Sequence, residues 1–345
     1  MFEVCAIQVE NGDAILVTYG EREAPHHILI DGGTKASAGT LRSVLSGRRT
    51  NGQLRIEVLV VTHYDLDHIE GVIELLRDPP IWLEIIDIWF NGRKHVAGDD
   101  LLGHQEGDLL SKLIGSKYRW NKAFDGSEIQ ATPSHVEMPG GLTIRVLSPD
   151  QMGLDSLGEE WPLDGTPLSE AFETEAEADL LGRDDTWPPG QFSEIANKKF
   201  SKDTSVPNGS SIALMLEFEG KLVLLAADAF PSVLVDGLKI HFPSQKPEIA
   251  LLKVSHHGSR RNTDDRFLAA FSCGRFLFST NGKGHNHPDT TVIARILKHS
   301  EDPQLIFNYE QEQTSGWRVV PIGWPSYTTL YPNPTEPFVM VVILP

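Results

Sequence analysis

His63, Asp65, Asp67 and His68 crowd into six consecutive positions of "VTHYDLDHIEGV", directly after the apolar run "IEVLVV". Imidazole nitrogen and carboxylate oxygen together suit Zn2+, Mn2+ or Fe2+ better than Ca2+, and four such groups in one loop can be shared between two ions. The apolar run reads as a buried strand, and "DHIEGVIELLRD" as an amphipathic helix closed by Pro79 and Pro80. The four groups therefore sit between a strand end and a helix start, where α/β proteins open a crevice. Asp67 can also serve as the cap of that helix.

Three later stretches repeat the pattern of a strand that ends in a ligand-type residue. "KLVLLAAD" stops at Asp228, a costly place for a carboxylate unless it is paired, bound to a metal, or capping the next helix. "IALLKVSHHGS" ends in His256 and His257; Gly258 and Ser259 make a tight turn that can aim an imidazole inward, the plain alternative being a surface pair. "FLFSTNGKGHNHPDT" carries Lys283, His285 and His287, with Pro288 fixing the backbone after the last. Asp31, in "DGG" after the strand "HHILI", either supports the site from behind or makes a turn. Asn208, Ser210 and Ser211 of "VPNGSS" can donate hydrogen bonds to an oxyanion or shape a loop. The other histidines carry no such pattern.

The positioning elements follow from periodicity. The N-terminal part reads as strands with turns, "FEVCAIQV", "AILVTY" and "HHILIDGG"; "RIEVLVVT" and "LEIIDIWF" add two more. In the second half strands alternate with helices, and "PQLIFNYE", "WRVVP" and "FVMVVIL" close the chain as strands. Two mixed sheets packed face to face with helices outside, an αββα four-layer sandwich, accommodate this order better than one doubly wound sheet. The expectation is one domain over 1–345, interrupted at 150–207 by an acidic, flexible insertion that lies outside the core.

Bulk properties bound the function. The chain has 40% apolar and 23% charged residues, and no apolar run approaches the roughly 18 residues of a membrane span. Its start reads as a strand and not as a signal peptide. Two cysteines are too few for a disulfide framework, which fits a cytoplasmic protein. The net charge of −18 argues against a polyanionic partner, yet residues 150–190 hold twelve acids against one base and so account for −11 of it. That segment suits docking to a basic protein.

The combination "THYDLDHIEG", "NGSS" before a hairpin ending in Asp228, "LKVSHHGS" and His287–Pro288 resembles the metallo-β-lactamase fold. More narrowly it is similar to the soluble hydrolase domain of the ComEC DNA-uptake proteins, where the signature reads H-x-D-x-D-H. The resemblance implies one or two divalent metals, Zn2+ or Mn2+. His63 and Asp65 would hold one, Asp67 and His68 the other, with Asp228 bridging and His256 or His257 completing the second. Two departures are visible: Asp65 stands where most of the superfamily has His, and no histidine between the motif and Asp228 offers a third ligand for the first metal.

The implied activity is metal-dependent hydrolysis of a phosphodiester, with a nuclease foremost and a small or cyclic nucleotide as the alternative substrate. Asp67, His257 and His287 would be catalytic. Asn208, Ser210, Lys253, Ser259 and Lys283 would contact substrate, with Asp31 behind the ligands. Arg48, Arg49, Lys253, Arg260 and Arg261 would supply local positive charge for a nucleic acid. Lactone or thioester hydrolysis, or a metal-stabilised subunit without turnover, complete the possibilities.

Overall fold

The computed structural model describes residues 1–96, 106–161, 187–283 and 285–344. Strand Phe2–Ile7 shows why sheets dominate. Phe2, Val4 and Ala6 bury one face of it while Cys5 and Ile7 bury the other, so alternate side chains enter two different cores. Ala213–Phe218 repeats this in the second half, with Leu214, Leu216 and Phe218 on one side and Ala213 and Met215 on the other.

Two mixed sheets result. The first runs Val339–Leu344, Phe2–Ile7, Ile15–Gly20, Pro25–Ile30, Val58–Val60, Ile88–Trp89, antiparallel up to Pro25–Ile30 and parallel beyond. The second is centred on Ala213–Phe218, Lys221–Leu225, Glu248–Lys253, Arg275–Phe278 and Gln304–Phe307. Its first pair is an antiparallel hairpin turned at Glu219 and Gly220, and the following pairs are parallel.

The sheets face each other across a core that includes Val17, Ile28, Val58, Val60, Leu214, Val223, Leu251 and Leu277. Helices Ala38–Gly47, Leu66–Arg77 and Glu106–Lys117 cover the outer face of the first sheet. Pro231–His241, Asp265–Ala269 and Thr290–His299 cover that of the second. The chain is an αββα sandwich, as its element order predicts. Among the described residues no helix is long and apolar enough to cross a membrane.

Several local expectations change. The run "RIEVLVV" is two short strands, Leu54–Ile56 and Val58–Val60, split at Glu57, whose buried carboxylate is held by Arg55 and His26. "LEIIDIWF" divides likewise, with Leu83–Ile85 leaving the main sheet to pair with Leu54–Ile56. "WRVVP" is not a strand: Gly316–Arg318 is a 3-10 turn and Val319 is exposed. The 150–207 segment does contribute to the core at its described ends. Helix Gln151–Glu160 buries Leu154 and Leu157, Trp161 packs edge-on against Tyr64, and Ile195 and Ala196 join the core of the second sheet. Scarce apolar residues at wide spacing hid these anchors from periodicity. Most of the acidic stretch, residues 162–186, lies outside the described residues.

The helix that carries Asp67 and His68 is docked by bare backbone. A Cβ on Gly71 would lie 1.9 Å from the Gly32 carbonyl oxygen, and one on Gly12 would lie 1.7 Å from the Asp67 carbonyl oxygen. Gly71→Ala must push the helix off the Asp31–Gly33 loop, so urea unfolding should show a loss of about 1–3 kcal/mol. Gly115→Ala, in an exposed helix interior with nothing within 4 Å, should gain about 0.5–1 kcal/mol.

Candidate metal centre

Four strand ends meet at one edge of the sandwich. Val58–Val60 leads into Thr62 and His63, Lys221–Leu225 into Asp228, Glu248–Lys253 into the Ser255–Gly258 turn, and Arg275–Phe278 into Ser279. A backbone bond from Ile212 N to Thr62 O, 3.0 Å, ties the two sheets together here. The backbone at this edge is unusual: Asp31, Ala227, His256 and His257 have φ of 58°, 47°, 46° and 55°. Non-glycine residues adopt such left-handed angles rarely and at a cost, and they gather where function demands it. At residues 256 and 257 the consecutive left-handed turn brings both rings toward Asp228.

Four imidazoles surround one carboxylate oxygen. Asp228 Oδ2 lies 3.4 Å from His68 Nε2, 3.7 Å from His257 Nε2, 3.8 Å from His256 Nε2 and 3.9 Å from His63 Nε2. Asp65 Oδ2 is 3.4 Å from His63 Nε2, and Asp67 Oδ2 is 3.5 Å from His257 Nε2.

The outward nitrogen of each ring fixes its tautomer. His68 Nδ1 faces Asp31 Oδ2 at 2.8 Å, and His257 Nδ1 faces the Ser279 carbonyl at 2.8 Å; both partners only accept, so both Nδ1 atoms carry the proton. Thr62 spends its hydroxyl proton on Asp31 Oδ2 and so presents a lone pair to His63 Nδ1, 3.0 Å away, beside Ser211 Oγ. Asn262 donates its amide hydrogens to Asp203 and to the Asp228 carbonyl, which leaves its oxygen to accept from His256 Nδ1 at 2.9 Å. All four rings therefore turn an Nε2 lone pair inward.

These inward atoms lack a donor. His63 Nε2, His68 Nε2, His257 Nε2 and Asp228 Oδ1 are buried without a hydrogen-bond partner. Ligand atoms of His63, His68 and Asp228 lie within 4.8 Å of one another, as do those of Asp67, His68 and His257. Acceptors gathered without donors fit a divalent cation. His63, Asp65 and Asp228 could hold one ion, and Asp67, His68, His257 and Asp228 a second.

Electrostatics agree with this. Burial alone would raise the Asp228 carboxyl, but His68, His256 and His257 outweigh it and hold its pKa well below the usual range. Asp67 is likewise held low against burial by His68 and His257. His68 is raised by Asp228, Asp67 and Asp31 although burial opposes its charge, so without an ion a proton takes the ion's place. Burial, with the neighbouring His256, His285 and His257 rings, depresses the pKa of His287 and keeps it neutral.

The structure brings His63, Asp65, Asp67, His68, Asp228, His256 and His257 together, with Asp31 against His68 Nδ1. His287 lies one ring further out, its centroid 5.8 Å from that of His256. Asp65, not Asp67, occupies the cap position of Leu66–Arg77, and Asp228 caps no helix.

Four of the expected substrate contacts are engaged within the protein. The Lys253 side chain is 1% exposed and its ammonium is ion-paired with Asp13 beneath Asp228, because the strand end that carries it is covered on both faces. Asp13 and Asp228 hold that ammonium above the ordinary lysine pKa against the effect of burial. Ser210 Oγ donates to the Pro207 carbonyl at 2.8 Å, and buried Ser259 Oγ accepts from Arg261 N. Asn208 donates inward to Asp203 Oδ2 at 2.7 Å. Lys283 is exposed, 4.0 Å from Glu10.

Sequence reasoning missed Asp13, Asp203, Asn262 and Asn11, the last donating to Asp67 Oδ2 at 3.0 Å. Each sits in a loop whose polar residues read as turn formers, and no local signal separates them from ordinary turns.

Fold and site together define a hydrolase-like αββα architecture with a candidate metal centre at one sheet edge. The sequence profile described as Metallo-beta-lactamase superfamily matches residues 9–276, and the chain belongs to that superfamily. No curated protein matches it. Similar solved structures include Zn(2+)-bound PqqB from Methylobacterium extorquens, 11% identical over 100% of both chains with a TM-score of 0.45. A metallo-β-lactamase with a HARLDQ motif from Cronobacter sakazakii is 13% identical, covering 72% of this chain and 73% of its own, with a TM-score of 0.35. A long form RNase Z from yeast is 9% identical over 81% of this chain and 36% of its own, with a TM-score of 0.36.

Two measurements check the centre. Zn2+ or Mn2+ at a hundred times its dissociation constant should stabilise the metal-free protein by about 2.7 kcal/mol, and Asp228→Asn should abolish that gain in a thermal melt. Asp31→Ala, which frees His68 Nδ1, should weaken metal binding by about 10–100-fold in calorimetry.

Proposed function

We propose that the chain is a metal-dependent phosphodiesterase. The observation that carries this reading is the convergence of four imidazole Nε2 atoms and two carboxylates, Asp65 and Asp67, on buried Asp228, with His63, His68 and His257 Nε2 left without a hydrogen-bond partner. When bound there, divalent ions would supply Lewis-acid polarisation of a phosphoryl oxygen and of the attacking water. The carboxylate-rich donor set, with Asp65 in place of an imidazole, suits Zn2+ or Mn2+ acting on an oxygen-rich substrate. The resemblance of "THYDLDHIEG" and "LKVSHHGS" to the ComEC-type hydrolase domain supports the same bond class.

The protein's own groups divide the remaining work. His256 is the most open of the four rings, with a side chain 25% exposed, and although burial opposes its charge Asp228 and Asp203 raise its pKa, so it is the ring that can take a second proton at Nε2 and pass it to a leaving oxygen at the mouth of the site. His257 is buried and held by Ser279, which makes it a ligand and not a proton donor. His287, kept neutral by burial and set one ring beyond His256, would flank a bound phosphate at the mouth of the site.

A small phosphodiester or nucleotide is favoured over a long nucleic acid. Lys253 is spent on Asp13, Arg48 on Glu3 at 2.7 Å, and Arg261 on the Lys202 carbonyl, so few of the cations expected to track a strand are free to do so. A nuclease remains the second reading, supported by the motif resemblance. Free, buried Cys5 and Cys273 support a cytoplasmic location. The acidic docking segment expected at 150–190 lies largely outside the described residues.

With Mn2+ or Zn2+ present, the protein should hydrolyse bis-p-nitrophenyl phosphate, and His256→Ala should lower kcat by about 10²-fold or more. A dinucleotide should be cleaved at least as fast as a long single strand, with little dependence on salt. Preference for the long strand, with affinity falling steeply as salt rises, would instead establish the nuclease. No turnover of any phosphodiester by metal-loaded protein would overturn both.

A further inference from the structure

Lys253 places an ammonium between the two sheets. It ends strand Glu248–Lys253, paired with Leu225 on one side and Leu277 on the other, and alternation puts it on the face of Leu251, in the core where the sheets meet. Its side chain is 1% exposed, and that of its partner Asp13, in the turn between Phe2–Ile7 and Ile15–Gly20 of the other sheet, is 3% exposed. A buried pair of this kind adds little net stability, because drying both charges offsets their attraction and apolar residues of similar volume would serve as well. What sets the pair apart is where it sits.

The ammonium meets the centre from behind. Lys253 Nζ lies 3.9 Å from Asp228 Oδ1 and donates at 3.4 Å to the Ala227 carbonyl, the oxygen that also accepts from His256 N at 2.9 Å. Ala227 has a left-handed φ of 47°, so these bonds hold a strained peptide at the base of Asp228. The two oxygens of Asp228 face different partners. Contacts with the four Nε2 atoms all fall on Oδ2, whereas the contact with Lys253 falls on Oδ1. Asp13 in turn sets Oδ2 on the ammonium and Oδ1 at 3.6 Å from His257 Nδ1, which fixes it against the same centre.

We propose that Lys253, anchored by Asp13, is a positioning residue for Asp228: it holds Oδ1 back so that the carboxylate serves both ions through Oδ2 alone. This rests on the metal-centre reading above. Without the ammonium, Oδ1 is free to turn inward, and Asp228 stops being a shared ligand. Lys253 and Asp13 together are neutral, so replacing them by an uncharged pair leaves the net charge beneath the ions as it was. A change in metal binding then reports orientation and not charge.

The test combines Lys253→Met with Asp13→Asn in one chain, which removes both charges at nearly constant volume. The metal-free variant should fold, with a circular dichroism spectrum and melting temperature close to those of metal-free wild type. Titrated with Mn2+ and followed by electron paramagnetic resonance, it should bind the ion about 10–100-fold more weakly than wild type. The signal of coupled ion pairs that saturated wild type gives should be lost, a readout that a merely structural role would not move. Unchanged affinity or an unchanged coupled signal in the folded variant overturns the proposal and leaves the metal centre standing. Wild type that shows only isolated ions at saturation also overturns it, since Asp228 then shares nothing, and wild type that binds no Mn2+ overturns the metal centre as well. Should the double variant fail to fold, Asp13→Asn alone decides: it leaves the ammonium without its anchor, and unchanged Mn2+ binding overturns the proposal.

Discussion

The rest of this site depends on a ring of outward hydrogen bonds. Asp31, Thr62, Asn262 and the Ser279 carbonyl each accept a hydrogen bond from the Nδ1–H of a different histidine, and that sends four Nε2 lone pairs toward one carboxylate. Lone pairs facing a carboxylate repel it; the arrangement is tolerable only with a cation or extra protons between them. With the rings neutral, the inner atoms have no hydrogen bonds to hold one another in this arrangement, so the outward bonds must do it.

Holding such a cluster requires a rigid frame, and the sandwich supplies it. The ring's members come from both sheets, and the sheets are locked together where Ile212 bonds Thr62. The carrier helix is pressed onto the Asp31–Gly33 loop so closely that Gly32 and Gly71 leave no room for a Cβ on either side. That contact fixes His68 relative to Asp31. The left-handed residues at 31, 227, 256 and 257 are the local cost of aiming groups from separate strands at one point.

How much of this was legible in the sequence follows from where the information sits. The cluster from His63 to His68 and the strand-terminal Asp228 announce themselves, because ligand-type residues directly after apolar runs are chemically conspicuous. The order of strands and helices was enough to separate two facing sheets from one. The burial of Lys253 was not legible because lysine is ordinarily at the surface; only the tertiary partner Asp13, 240 positions earlier in the chain, explains it. Asp203 and Asn262 were invisible for the same reason, since their meaning lies in meeting each other and His256 across 59 residues. The split at Glu57 was hidden by the unbroken β-branched run around it, and the anchors of the acidic stretch by the charge that surrounds them.

The tautomers themselves are the central claim, and nuclear magnetic resonance reads them directly. Long-range proton–nitrogen correlation spectra of the histidine rings, recorded with Zn2+ bound, should show His63, His68, His256 and His257 protonated at Nδ1, with Nε2 shifted by the ion. Rings protonated at Nε2, or spectra that do not respond when the ion is added, would contradict the account.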